Sequence, residues 1–117
     1  GDSRAKMIAW KRVRVLREEL GEADFASVIE LFLDEVGGIV MRIAHDDPRQ
    51  LENDLHFLKG SAANLGFTAF GQLCQRGEVE VRDGRMAAFD LAGLLDCYAA
   101  TKRDFVAGTT NRQSGVA

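Results

Sequence analysis

Two residues near the middle of the chain have the types and spacing for chemistry: His56 and Lys59, one helical turn apart. They stand in the stretch Leu55-His56-Phe57-Leu58-Lys59-Gly60-Ser61-Ala62-Ala63-Asn64-Leu65-Gly66. An imidazole can be a nucleophile, a metal ligand or a buried bystander. A lysine one turn on can meet an anion that the imidazole carries. Gly60 costs a helix interior roughly 1 kcal/mol relative to alanine. A bare backbone there makes sense where another molecule must come close. Ala63, one turn beyond, keeps the surface low. Which role His56 plays depends on the way it faces, and so on the elements around it.

The chain has 117 residues, enough for one domain with a real core. Apolar residues make up 46% and charged residues 28%, as in soluble globular proteins. The net charge of −3 argues against nucleic acid as the main partner. Cys74 and Cys97 are too few and too far apart for a disulfide scaffold or a zinc knuckle, and read as small apolar residues in a reducing compartment. No apolar run approaches the ~18 residues of a membrane span. No signal pattern opens the sequence, so a cytoplasmic location is expected.

Apolar residues recur at intervals of three and four, which predicts an all-helical chain. Residues 1–8 are expected to be flexible. A short first helix fits Ala9 to Leu20, with Ala9, Val13, Leu16 and Leu20 on one stripe, and Gly21 stops it. Lys11, Arg12, Arg14 and Arg17 lie mostly off that stripe and read as a solvated face. Asp24 is a plausible N-cap for a second helix over Phe25 to His45, carrying Phe25, Val28, Ile29, Phe32, Val36, Ile39, Val40 and Ile43 inward. It is expected to run through Gly37 and Gly38, because the apolar phase is the same on both sides. His45 at its end reads as a residue favoured by the helix dipole. Pro48 suits the first turn of a third helix that ends at Leu65. The fourth fits Thr68 to Arg82, with Phe70, Leu73, Cys74, Gly77 and Val81 inward. Asp90 can cap a fifth helix, to about Val106, with Leu91, Leu94, Leu95, Tyr98 and Phe105 inward. Residues 108–117 read as a disordered tail. The expectation is an antiparallel four-helix bundle over residues 9–107 with an additional short N-terminal helix.

The third helix then orients the histidine. With Leu51 at zero and about 100° per residue, Leu55, Leu58, Ala62 and Leu65 fall within about 40° of zero. His56 falls near 140°, Ala63 near 120°, Gly60 near 180° and Lys59 near 80°. His56 therefore lies on the outer face. Two readings survive: a plain surface histidine, or an exposed nucleophile in a shallow, slightly positive clearing. A metal site from His45, Asp46, Asp47 and His56 matches no ligand spacing.

His56-Phe57-Leu58-Lys59-Gly60-Ser61-Ala62, followed by Asn64-Leu65-Gly66, resembles the signature of histidine-containing phosphotransfer (HPt) domains, the helical intermediates of His–Asp phosphorelays. The resemblance extends from Ile8 to Ala107. It takes in Glu22 to Glu35, like the family's second-helix opening, and Cys74 and Glu78 on the fourth helix. It implies that His56 is phosphorylated on Nε2 and that Lys59 lies beside the phosphoryl group. Gly60 would leave room for an incoming receiver domain. Glu78 would hydrogen-bond the imidazole Nδ1, and Arg82 would be a basic residue near the site. Gly77 departs from the pattern, which commonly has a larger apolar residue there.

That implied chemistry is sound from first principles. A carboxylate at Nδ1–H would select the tautomer and raise the basicity of Nε2. Lys59 would offset phosphoryl charge. On the fourth helix Glu78 lies beside the core stripe, on the flank of Gly71 and Arg82, and can sit in a groove between two helices. Nothing resembles a phosphate-binding loop, so no kinase activity of its own is expected. The resemblance implies no resident cofactor, with Mg²⁺ expected in the partner receiver domain. It implies response-regulator receiver domains and a sensor or hybrid histidine kinase as partners, docking over Gly60, Ala63 and Arg82, and a monomeric protein. The rival reading is a helical interaction module that docks such domains without phosphotransfer.

Overall fold

The computed structural model describes residues 7–113. Five α-helices follow in order: α1 (Trp10–Leu20), α2 (Glu22–Arg42), α3 (Pro48–Leu65), α4 (Thr68–Arg82) and α5 (Leu91–Gln113). Short 3-10 turns stand at Ile43–His45 and Met86–Ala88. The described residues contain no strand. Helices α2 to α5 make the antiparallel bundle and α1 is the additional N-terminal helix, packed on α2 and α3.

The apolar stripes meet as expected. Phe25, Ile29, Val36, Ile39, Val40 and Ile43 of the α2 stripe are buried against Leu51, Leu55, Leu58, Ala62 and Leu65 of α3, Phe70, Cys74 and Val81 of α4, and Leu94, Tyr98 and Phe105 of α5. Burying each large apolar side chain is worth about 1.5–3 kcal/mol, which gives the bundle its main driving force. α2 does run through Gly37 and Gly38.

Helix ends depart from expectation in three places. Asp24 does not cap α2: the helix begins at Glu22, directly after Gly21 at φ 84°, a left-handed turn that suits glycine. Glu22 and Asp24 instead lie in the first turn, where negative charge favours the helix dipole. The end of α2 tightens, so that Ile43 to His45, with His45 exposed, form a 3-10 turn rather than α-helix. α5 continues through Gln113, so residues 108–113 of the expected tail are helical. Bulk on α1 explains the extension. The Trp10 ring lies over Gly108, where any β-carbon would collide, and it stacks on Phe105 with centroids 6.1 Å apart. An Arg17 guanidinium nitrogen also donates to the Thr109 carbonyl, 3.4 Å away.

The segment before α1 is held as well. Ala9 N–H donates to the Gly66 carbonyl at 2.7 Å, Thr68 N–H donates to the Met7 carbonyl at 3.1 Å, and Ile8 is buried. Met7 and Ile8 of the expected flexible 1–8 are therefore strapped to the α3–α4 corner, and residues 1–6 lie outside the described residues, as do 114–117. Nor are all four basic residues of α1 solvated. Arg12 Nε donates to the Asn64 carbonyl at 3.1 Å. Arg17 lies over the Phe25 ring and pairs with Glu22 at 3.1 Å. Lys11 and Arg14 are exposed. No helix of the described residues is long and apolar enough to cross a membrane.

Candidate functional site

α3 is started by Asp47, whose Oδ1 accepts from the Gln50 N–H at 2.9 Å, with Pro48 in the first turn. It is closed by Gly66 in the left-handed conformation. Between these ends the stripe from Leu51 to Leu65 faces the core, which turns His56 outward with 68% of its side chain exposed.

α4 packs along α3 with a glycine of α4 against an α3 side chain at two levels. A β-carbon on Gly71 would be 3.2 Å from the Ala62 Cβ, and one on Gly77 would be 3.3 Å from Leu55 Cδ1. This approach brings Glu78 under the histidine. Its carboxylate is 8% exposed, and Oε2 lies 2.9 Å from His56 Nδ1. Oε1 lies 3.1 Å from Lys59 Nζ. Arg82 is more remote, with a guanidinium nitrogen 4.0 Å from Oε2.

Burial pushes the Glu78 carboxyl up, but hydrogen bonds from Lys59 and His56, with their charge, outweigh it and hold the group below its usual range. Glu78 is thus an ionised acceptor near neutral pH. An ionised carboxylate can only accept, so Nδ1 carries a proton, and in the neutral ring that leaves the lone pair on Nε2. Nε2 is the ring nitrogen that Glu78 does not engage, on a side chain that is largely exposed.

The neighbouring surface is low and partly apolar. Gly60 and Ala63 are exposed, and nothing comes within 4 Å of a β-carbon placed on Gly60. A groove of about 440 Å³ runs from Lys59 and Ala63 past Gly71 to Gln75, with Arg12 on its rim. Among the described residues no group of three or more His, Cys, Asp or Glu could hold a metal ion.

Among known families, the model of the Hpt domain matches residues 27–103. The chain belongs to the Hpt domain family. It is a histidine phosphotransfer module of phosphorelays, the class of domain that interacts with receiver domains and kinases. Searches of curated proteins and of solved structures returned no match. The matched span begins in α2, covers α3 and α4 entirely and ends in α5, so it contains His56, Lys59 and Glu78 and leaves out α1.

Within this Hpt domain, His56, Lys59, Gly60, Ala63, Glu78 and Arg82 lie on one surface of α3 and α4, with Arg82 at its edge. The departure at Gly77 has a local explanation: the Phe89 ring, from the α4–α5 link, occupies the missing side chain's space. Sequence reading did not find Phe89, because nothing in a linker's pattern says which way one aromatic turns. It also missed Asp54, which is 5% exposed on the α2 flank of α3. A signal existed there, since Asp54 falls only about 60° from the Leu51 stripe on the wheel.

Proposed function

We propose that this domain relays a phosphoryl group between receiver aspartates through His56. The observation that carries the reading is the buried, ionised Glu78 on Nδ1 of an otherwise exposed imidazole, 2.9 Å away.

In the forward step the Nε2 lone pair attacks the phosphorus of an aspartyl phosphate. The N–P bond forms, the acyl P–O bond breaks, and the aspartate leaves as a carboxylate. No proton needs to leave Nε2, because the tautomer held by Glu78 already has its proton on Nδ1. The phosphorylated ring gains positive charge, which the Glu78 carboxylate opposes at once. Lys59 begins paired to Oε1 and needs only a side-chain rotation to meet the phosphoryl oxygens. Transfer onward reverses the sequence onto a second receiver. Mg²⁺ belongs to the receiver's acidic pocket and the phosphoryl source is a sensor or hybrid kinase. Gly60, Ala63 and Arg82 lie under the docked partner. The domain acts as a cytoplasmic monomer without a nucleotide site of its own.

The test is direct transfer from a receiver domain labelled on its aspartate. Wild type should gain acid-labile, base-stable label, and His56→Gln should gain none while folding normally, since the side chain is largely exposed. Equal labelling of the two proteins refutes His56 as the acceptor. Receiver binding without label in wild type leaves the docking module as the reading.

A further inference from the structure

The link between α4 and α5 bears on the histidine through a single ring. Phe89 follows the Met86–Ala88 turn, and its backbone is anchored on both sides. Arg85 N–H donates to the Glu80 carbonyl at 2.8 Å and Phe89 N–H to Met86 at 3.0 Å, and the neighbouring Asp90 caps α5 through Gly93 N–H at 2.9 Å. The half-buried ring is thereby delivered onto the bare Cα of Gly77, where a β-carbon would lie 2.6 Å from Phe89 Cε1. Leu55 Cδ1 borders the same space, 3.3 Å from that β-carbon. Leu55 and Gly77 are the residues immediately before His56 and Glu78. The layer Leu55–Gly77–Phe89 and the bond His56–Glu78 are therefore adjacent rungs between the same two helices.

We propose that Phe89 is a positioning residue for this site: packed on Gly77 beside Leu55, it sets how α4 seats on α3 and so sets the Glu78–His56 bond. Interiors are close-packed, so removing the ring leaves a void that α4 or the link must relax into. A shift of a few tenths of an ångström at Gly77 is passed to Glu78 one residue later. A hydrogen bond of 2.9 Å to a ring nitrogen weakens quickly when its acceptor moves or tilts. The link from Arg82 to Ala88 is exposed, so its conformation can be read at the histidine without contact with it. The catalytic consequence rests on phosphotransfer through His56; the geometric one does not.

The test uses the whole chain with Phe89→Ala, Phe89→Leu and Gly77→Ala, and Phe105→Leu as a control for general loosening at the far end of α5. The first readout is the tautomer of His56 by ¹⁵N NMR, taken with no phosphoryl donor present. Phe89→Ala and Gly77→Ala should lose much of the Nδ1–H form, and Phe89→Leu should restore most of it. The second readout is transfer from a labelled receiver. It should fall about tenfold in Phe89→Ala, as expected for a group acting through its neighbour, and stay within about twofold of wild type in Phe105→Leu. If Phe89→Ala does not fold, Gly77→Ala against Phe89→Leu gives the same contrast. An unchanged tautomer in folded Phe89→Ala or Gly77→Ala overturns the proposal, as does an equal change in Phe105→Leu. A wild type that shows the Nδ1–H tautomer but takes no label defeats phosphotransfer instead and leaves the positioning result standing.

Discussion

Two buried carboxylates flank α3, and only one of them makes a site. Asp54 faces α2 and Glu78 reaches in from α4, with exposures of 5% and 6%. Asp54 Oδ1 accepts from Arg42 at 3.0 Å and from the Gln50 side chain at 3.1 Å. Asp46 faces it across the α2–α3 corner. Burial and the neighbouring Asp54 carboxylate push the Asp46 carboxyl up to about 6, against the pull of Arg42. Each aspartate has an Oδ2 that is buried without a hydrogen bond. One proton between the two would satisfy both. Glu78 is buried to nearly the same degree as Asp54, yet its carboxyl is held low, because its partners are Lys59 and His56. Burial is thus common to both carboxylates. The difference is that Asp54 ties down groups that join two helices, whereas Glu78 holds an exposed ring with a nitrogen left over for chemistry.

Substitutions on the two flanks should therefore separate stability from transfer. The largest expected effect is Asp54→Ala. It leaves Arg42 and Gln50 without their shared acceptor and should cost about 2–3 kcal/mol of stability. Thermal and denaturant unfolding would measure this, while phosphotransfer below the transition should stay within about twofold. A large loss of transfer in well-folded Asp54→Ala would erase the contrast.

Next is Glu78→Gln, expected to lower transfer about 10–100-fold, since a neutral amide neither selects the tautomer firmly nor opposes the ring's charge. It should also alter the acid limb of stability. Glu78 is depressed below its ordinary 4.5, so its contribution is present above about pH 4.5 and is lost as pH falls through the lowered folded value. Unfolding between pH 5 and pH 2, in roughly half-unit steps, should show that limb flattened in Glu78→Gln. An unchanged acid limb would mean that Glu78 is not held ionised by its neighbours.

Lys59→Ala should reduce transfer about tenfold and also cost some stability, because Glu78 Oε1, the atom it pairs with, is buried and would lose its cation. Rapid-quench transfer kinetics would check it, and an unaffected rate would remove Lys59 from the phosphoryl site. The smallest effect is Asp46→Asn. The Asp46 pKa is raised from 3.8 to about 6, so folding takes up a proton there. Stability therefore grows as pH falls through about 6, and the carboxylate form costs stability above it. The asparagine variant should be more stable than wild type at pH 8 by on the order of 1 kcal/mol, with the gap closing below pH 4. A gap independent of pH would point to packing rather than charge.

Much of this was legible along the chain. The stripe Leu51, Leu55, Leu58, Ala62 and Leu65 oriented His56 outward from spacing alone, and Gly60 with Ala63 marked the open surface beside it. Pro48, Gly66 and Asp90 marked helix ends, because capping is local chemistry that needs only neighbouring backbone. Where an end depended on a distant side chain, local signals failed. Asp24 looked like a cap, but the turn at Gly21 came first. Gly108 looked like the start of a tail, but Trp10 from the other end of the chain packs on it.

Periodicity determines which face of a helix is inward, since it is a property of one helix and its solvent. By itself the sequence therefore determined an all-helical bundle, an outward His56 with Lys59 and a bare Gly60 beside it, and, through its motif, the family. Tertiary structure alone decided how near α4 comes to α3. That distance depends on Gly71 meeting Ala62, on Gly77 meeting Leu55, and on Phe89 filling the space Gly77 leaves. It converts a glutamate beside a stripe into a carboxylate 2.9 Å from Nδ1. Hydrogen bonds are made or lost over tenths of an ångström, and only the packing of several elements at once sets a distance that finely.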